Sequence, residues 1–180
     1  MKHTISVLVE NHFGVLARVA GLFSARGFNI DSLAVGETHD PEVSRMTVIA
    51  QGDARVIDQI MKQLSKLVDV ICVEDVTDKD VIERELVLIK LSANATNRND
   101  IMHVVNTFRG KIVDVSPETM TIEVTGSEGK IDAMLELLKP FDLREVVRTG
   151  QIAMARRHEL KAPSKKAAGK SRSKKASGKK

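Results

Sequence analysis

The clearest chemistry in this chain lies in Glu10-Asn11-His12-Phe13-Gly14-Val15-Leu16, a polar, glycine-bearing turn between a β-rich run and a helical stripe. The first amides of a helix have no internal partner and carry the positive end of its dipole. A helix start exposed at a sheet edge is therefore ready to receive a carboxylate. Gly14 lets backbone and ligand approach closely, and the Asn11 carboxamide can both donate and accept hydrogen bonds. Together these residues suit non-covalent capture of a small acid. They also suit a plainer role in which Asn11 caps the helix and Gly14 only permits the turn. Residue types alone leave both readings open.

Covalent or metal chemistry has little to stand on. The sequence holds no glycine-rich phosphate loop, dinucleotide fingerprint, paired-cysteine motif or zincin helix. His3, His12, His39, His103 and His158 are scattered, none at metal-ligand spacing from another, and read as surface or turn residues. Glu74, Asp75, Asp78, Asp80, Glu83 and Glu85 cluster in a stretch that reads as a solvated connector. The single Cys72 sits in Val70-Ile71-Cys72-Val73; it has no disulfide partner in the chain and is expected to be a buried small hydrophobe.

The elements that must position the turn follow from periodicity. Ile5, Val7 and Val9 alternate with Ser6 and Leu8 as one face of a strand, and Val15, Leu16, Val19, Leu22 and Phe23 recur at helical steps up to Gly27. Asn29 to Val35 and Ser44 to Ala50 are β-rich runs around the polar Gly36-Glu37-Thr38-His39-Asp40-Pro41, a predicted hairpin. A second stripe through Val56, Ile57, Ile60, Met61, Leu64 and Leu67 precedes the apolar run Val68 to Val73, which completes the order βαββαβ.

The same grammar returns after residue 84: a strand over Leu86 to Leu91, a helix over Asp100 to Phe108, a hairpin around Ser116-Pro117-Glu118, a helix over Lys130 to Leu138 and a strand over Leu143 to Arg148. Gly52, Ile57, Asp58 and Leu64 match Gly126, Ile131, Asp132 and Leu138 at one constant offset, which marks an internal repeat. The fold class expected is α+β, with two ferredoxin-like βαββαβ domains at 1–76 and 85–158, a linker at 77–84, and a disordered Lys-rich tail at 159–180.

Charge separates body from tail. The chain is formally +4, yet residues 161–180 hold nine Lys or Arg and no acid, so the remainder is net acidic. A βαββαβ module that binds RNA stacks bases on exposed aromatics, whereas this chain has no Trp, no Tyr and five Phe, four of them within or beside helical stretches. Nucleic acid is thus not expected as a partner of the body; the tail alone has the charge to meet a polyanion, and equally suits a solubilising extension. No run of eighteen apolar residues and no charged-then-apolar leader is visible, so a cytoplasmic protein without a membrane partner is expected.

The motif Asn11-His12-Phe13-Gly14-Val15-Leu16-Ala17-Arg18-Val19, followed by Gly21-Leu22-Phe23-Ser24-Ala25-Arg26-Gly27-Phe28-Asn29-Ile30-Asp31-Ser32-Leu33, resembles the opening of an ACT domain, a small amino-acid-sensing module. More narrowly it is similar to the regulatory subunits of acetolactate synthase. That likeness continues through Asp40-Pro41, Ser44-Arg45-Met46-Thr47, Lys66-Leu67-Val68-Asp69-Val70, Arg84-Glu85-Leu86, Phe108-Arg109-Gly110 and Gly129-Lys130-Ile131-Asp132-Ala133. It spans roughly residues 3 to 155 and leaves out the basic tail.

The resemblance implies an N-terminal ACT domain, a C-terminal ACT-like domain, and a homodimer that holds valine or another branched-chain amino acid between subunits. The ligand carboxylate would meet the Asn11 side chain and the amides around Gly14, Val15 and Leu16, with His12 alongside. Its ammonium would meet main-chain oxygens near Asn29 and Ile30 of the facing subunit. It implies no catalytic residue, metal or cofactor in this chain; thiamine diphosphate, magnesium and FAD belong to a catalytic large subunit, which this chain would activate and place under feedback inhibition. A free-standing ACT-type regulator without an enzyme partner is the alternative.

Overall fold

The computed structural model describes residues 1–156; His158 and the tail at 159–180 lie outside them. The first unit is β1 (Lys2–Glu10), α1 (Val15–Ala25), β2 (Ile30–Glu37), β3 (Val43–Gln51), α2 (Ala54–Leu64) and β4 (Val70–Asp75). The second is β5 (Val81–Ser92), α3 (Arg98–Thr107), β6 (Lys111–Val115), β7 (Thr119–Gly126), α4 (Glu128–Leu138) and β8 (Leu143–Arg148), followed by β9 (Ile152–Ala155). The sheets are antiparallel, in the orders β2-β3-β1-β4 and β6-β7-β5-β8. Two ferredoxin-like units are thus present, each with its first strand inside the sheet and its second at an edge.

Each sheet turns one face to its helices, and that face is where the alternating apolar residues fall. Ile5, Val7, Val9, Met46 and Val48 meet Val19 and Phe23 of α1 and Ile57, Ile60 and Leu64 of α2 in one core. Val87, Ile89, Leu91, Ile122 and Val124 meet Ile101 and Val105 of α3 and Ile131, Met134 and Leu138 of α4 in the other. The repeat read from the sequence is therefore a repeat of core positions: Ile57 and Ile131, and Leu64 and Leu138, fill equivalent places. Emptying such a site costs about 2–5 kcal/mol, so Phe23, fully buried, is among the residues the first unit can least spare.

Three expectations are corrected. Residues 81–84 are not linker but the first third of β5, where Val81 to Arg84 pair with Ala155 to Ile152 of β9. That strand was missed because Ile152-Ala153-Met154-Ala155 is too short to show a period. Cys72 is exposed, because its position on β4 projects from the sheet face away from the helices, paired beside Leu8. Glu85, grouped with solvated acids, is 6% exposed and ion-paired with Arg148 Nη1 at 2.8 Å. Burial pushes its carboxyl above the ordinary glutamate range, and Arg148 offsets this only in part.

The ribbon of β5 and β9 lies across the first unit. Thr4, Ser6, Thr47 and Ile49, on the sheet face opposite the helices, are buried, as are Ala153 and Gln151. A groove of about 1120 Å³ runs between them, lined by Ser6, Thr47, Ile82 and Met154 among others. Among the described residues no helix is long and apolar enough to cross a membrane.

Candidate functional site

β1 ends at Glu10 and α1 starts at Val15, so four residues turn the chain from the sheet into the helix. Gly14 occupies the position before the helix at φ +86°, a left-handed conformation that a side chain would strain, and nothing within 4 Å limits the space above it. No side chain caps α1. The Val15 amide reaches His12 O at a long 3.4 Å and the Arg18 amide bonds Gly14 O at 3.0 Å. Among the described residues the amides of Gly14, Leu16 and Ala17 find no partner. Phe13 is fully exposed and Leu16 is 45% exposed, so the open amides sit beside an apolar rim.

The turn is held from two sides. Asn11 donates its amide to Glu42 O at 2.7 Å, and its Nδ2 donates to Pro41 O at 2.8 Å and Glu37 Oε1 at 3.2 Å, which ties the turn to the β2–β3 hairpin. Asn11 is therefore not the helix cap. Its Nδ2 hydrogens are committed in this arrangement, and a ligand carboxylate would take the place of the Glu37 carboxylate. On the other side His12 Nε2 lies 3.1 Å from Asp69 Oδ1 and 3.4 Å from Glu10 Oε2, and Arg18 Nε lies 2.9 Å from Asp69 Oδ2. Glu10, His12 and Asp69 stand close enough to share a cation. Arg18 already supplies positive charge to Asp69 there, so the trio reads as a clasp between the turn and the α2–β4 loop. Sequence reasoning missed Asp69, because pairing of β1 with β4 alone brings it to residue 12.

Of the expected ligand residues, Asn11, His12, Gly14 and Leu16 present polar atoms or exposed surface at the turn. Val15 differs: it is 3% exposed and its side chain belongs to the core, which leaves only its backbone at the site. Asn29 and Ile30 are elsewhere in the same chain. Ala50 of β3 stands beside both Ile30 and His3, at the opposite end of β1 from Glu10, about 23 Å away at strand rise. The two halves do not meet within one protomer. Asn29 Nδ2 donates to Asp31 Oδ1 at 2.6 Å, and the ladder slips between Ile30 and Ser32, so Asp31 sits in a bulge.

His3 is also more than a surface residue. Half-buried in β1, it bonds Asp75 Oδ2 at 3.1 Å. Burial alone would raise the Asp75 carboxyl, but hydrogen bonds from the Thr77 hydroxyl and amide and from His3 outweigh it and hold the carboxyl below its ordinary value.

Comparison with known proteins divides the chain at the same place as the fold. Residues 5–72 match the family model described as the AHAS small subunit-like ACT domain, and residues 84–157 match that of the small subunit of acetolactate synthase. An acetolactate synthase small subunit of Aquifex aeolicus is 52% identical over 161 residues, 89% of this chain and 84% of that protein. A probable acetolactate synthase small subunit of Archaeoglobus fulgidus is 51% identical over 156 residues, 87% of this chain and 98% of that one. The crystal structure of the acetolactate synthase small subunit from Thermotoga maritima superposes with a TM-score of 0.80 at 42% identity, covering 88% of this chain and 99% of that chain.

Proposed function

The chain belongs to the acetolactate synthase small-subunit family, and from that premise we propose that it is a regulatory subunit that activates a catalytic large subunit and confers feedback inhibition by valine. The observation that carries the valine site is the uncapped start of α1: three amides without partners, an unobstructed Gly14 and a neighbouring apolar rim. The ligand carboxylate binds the Gly14, Leu16 and Ala17 amides, where the helix dipole favours negative charge. Asn11 Nδ2 exchanges Glu37 for that carboxylate, and Leu16 meets the apolar side chain.

The site is completed by a second copy. β2 is an edge strand, and α1 presents the small exposed residues Ala17, Gly21 and Ser24 along one face, so two copies can lie edge to edge. A two-fold axis then brings the start of α1 in one protomer to Asn29 and Ile30 at the start of β2 in its partner, where main-chain oxygens receive the ammonium. A ligand shared in this way favours one mutual arrangement of the domains, and its differential affinity for that arrangement is all it contributes to switching. Condensation of 2-keto acids, with thiamine diphosphate, magnesium and FAD, belongs to the large subunit; this chain supplies no catalytic residue.

Calorimetry with valine, leucine and isoleucine on the wild type and on Gly14→Asp tests the reading, together with activity of the large subunit with and without this chain. Binding by the wild type and loss in the variant supports it. Equal affinities remove the site, and absence of any effect on the large subunit removes the partner.

A further inference from the structure

Two contacts join the β8–β9 turn to β2. The Gln151 amide donates to Ser32 Oγ at 3.1 Å, and Gly150, at φ +83°, lies so close that a Cβ there would stand 3.0 Å from Ser32 Oγ and 3.1 Å from Leu33 O. Only glycine satisfies both the backbone conformation and the approach. Another polar link across this seam, Lys2 with Glu128, is an exposed ion pair of the kind that contributes little.

Ser32 follows Asn29 and Ile30 by two to three residues, with the Asp31 bulge between them. Asp31 accepts from Asn29 Nδ2 at 2.6 Å and from Gln51 Nε2 at 2.7 Å, so the bulge is held by side chains rather than by the ladder. A bulge can absorb a small backbone rotation without unpairing the strand beyond it. A cavity of about 320 Å³ bordered by Asp31, Ser32, Glu85 and Arg148 leaves room beside the contact. Ligand capture at one end of β2 and domain docking at the next residues thus act on the same short stretch of backbone.

We propose that the contact of Ser32 and Leu33 with Gly150 and Gln151 is the joint through which an occupied amino-acid site moves the C-terminal unit. This rests on the reading above that Asn29 and Ile30 receive the ligand's ammonium. Ser32 and Gly150 are positioning residues: they touch no ligand, and they set where the C-terminal unit sits when the ligand pulls on β2.

The test separates binding from response in the full chain. Valine affinity is measured by calorimetry, and maximal inhibition is measured on the enzyme reconstituted with the large subunit, for the wild type, Gly150→Ala, Ser32→Ala and the seam control Lys2→Ala. In both joint variants affinity stays within about threefold of the wild type, while maximal inhibition falls by about half or more in Gly150→Ala and less in Ser32→Ala. Lys2→Ala responds as the wild type does. A Gly150→Ala chain that does not fold leaves Ser32→Ala to decide. Inhibition at the wild-type level in every folded joint variant, or affinity and inhibition falling together, overturns the joint while the site stands. No valine binding by the wild type overturns the site and the joint with it.

Discussion

The turn after β1 and the turn after β5 occupy the same place in the repeat, yet the first is tied to the neighbouring hairpin and the second is tied to itself by its own side chains. In the second, Asn97 Oδ1 accepts from the Asn94 amide at 2.8 Å, and Asn94 Oδ1 accepts from the Thr96 and Asn97 amides at 2.9 and 3.1 Å. Asn97 Nδ2 then reaches Ser92 O at 3.3 Å. The amides just ahead of α3 are spent on a local asparagine loop. The α3 start, though it has no side-chain cap, already carries the carboxylate of Asp100 in its first turn. In the first, Asn11 points away to the hairpin and Gly14 carries no side chain, so the helix start keeps its donors. One fold therefore yields in one copy a helix start without an acid of its own, a candidate site, and in the other a start that already carries Asp100 behind a local asparagine loop.

The strongest way to break this contrast is to put charge into the open turn. Gly14→Asp lowers valine affinity by about 100-fold or more, roughly 3 kcal/mol, in calorimetry, since a fixed negative charge stands where the carboxylate docks. Far-UV circular dichroism keeps the wild-type shape, because the space above Gly14 is empty, while the melting temperature falls through the strain of a side chain at φ +86°.

Asn11→Ala comes next. It removes the tie to Pro41 and Glu37 and one donor to the ligand, and affinity falls by about tenfold. The matching change in the second turn, Asn97→Ala, separates the two: urea unfolding shows a loss of about 1 kcal/mol in stability, with valine affinity unchanged. If Asn97→Ala altered valine binding, the two turns would not be functionally distinct.

A smaller effect contrasts the acids of the two units. The Glu85 carboxyl lies above its ordinary value, so its contribution to stability is full in acid and is lost as pH rises from about 4.5 through its folded value. The Asp75 carboxyl lies below its ordinary value, so its contribution is present above about 3.8 and is lost as pH falls. Urea midpoints measured against pH fall less steeply above about 4.5 in Glu85→Gln than in the wild type. In Asp75→Asn part of the acid-side loss disappears.

The smallest change is expected from truncation after Leu160. It leaves activation and valine response intact, as measured on the reconstituted enzyme, since the relative from Archaeoglobus fulgidus is matched over 98% of its length by 156 residues of this chain.

Much of the fold was legible because it is written at short range. Ile5, Val7 and Val9 at period two, and Val15, Val19 and Phe23 at helical spacing, place themselves in strand and helix with no knowledge of the rest. The match of Ile57 and Leu64 with Ile131 and Leu138 disclosed the repeat for the same reason. The open turn was also visible, since Gly14 and a helix start are neighbours in the chain. What went astray were residues whose surroundings come from far away. Glu85 looked solvated until Arg148 and the burial of its strand were in place, and Cys72 looked buried because its neighbours are apolar, although its side of β4 faces outward.

The sequence alone decided the element types of the two βαββαβ units, though not β9 or the start of β5, and with them the repeat, the cores and the glycine that keeps the first helix start accessible. Tertiary structure alone decided that Asp69 and Arg18 clasp His12, that Asn11 faces the hairpin, and that Asn29 and Ile30 lie at the wrong end of the protomer to complete a site by themselves. It also set the Gly150 contact on β2. The physical reason is one of range: side-chain period is fixed by the local backbone, whereas partners dozens of residues apart meet only after strand order and register are set.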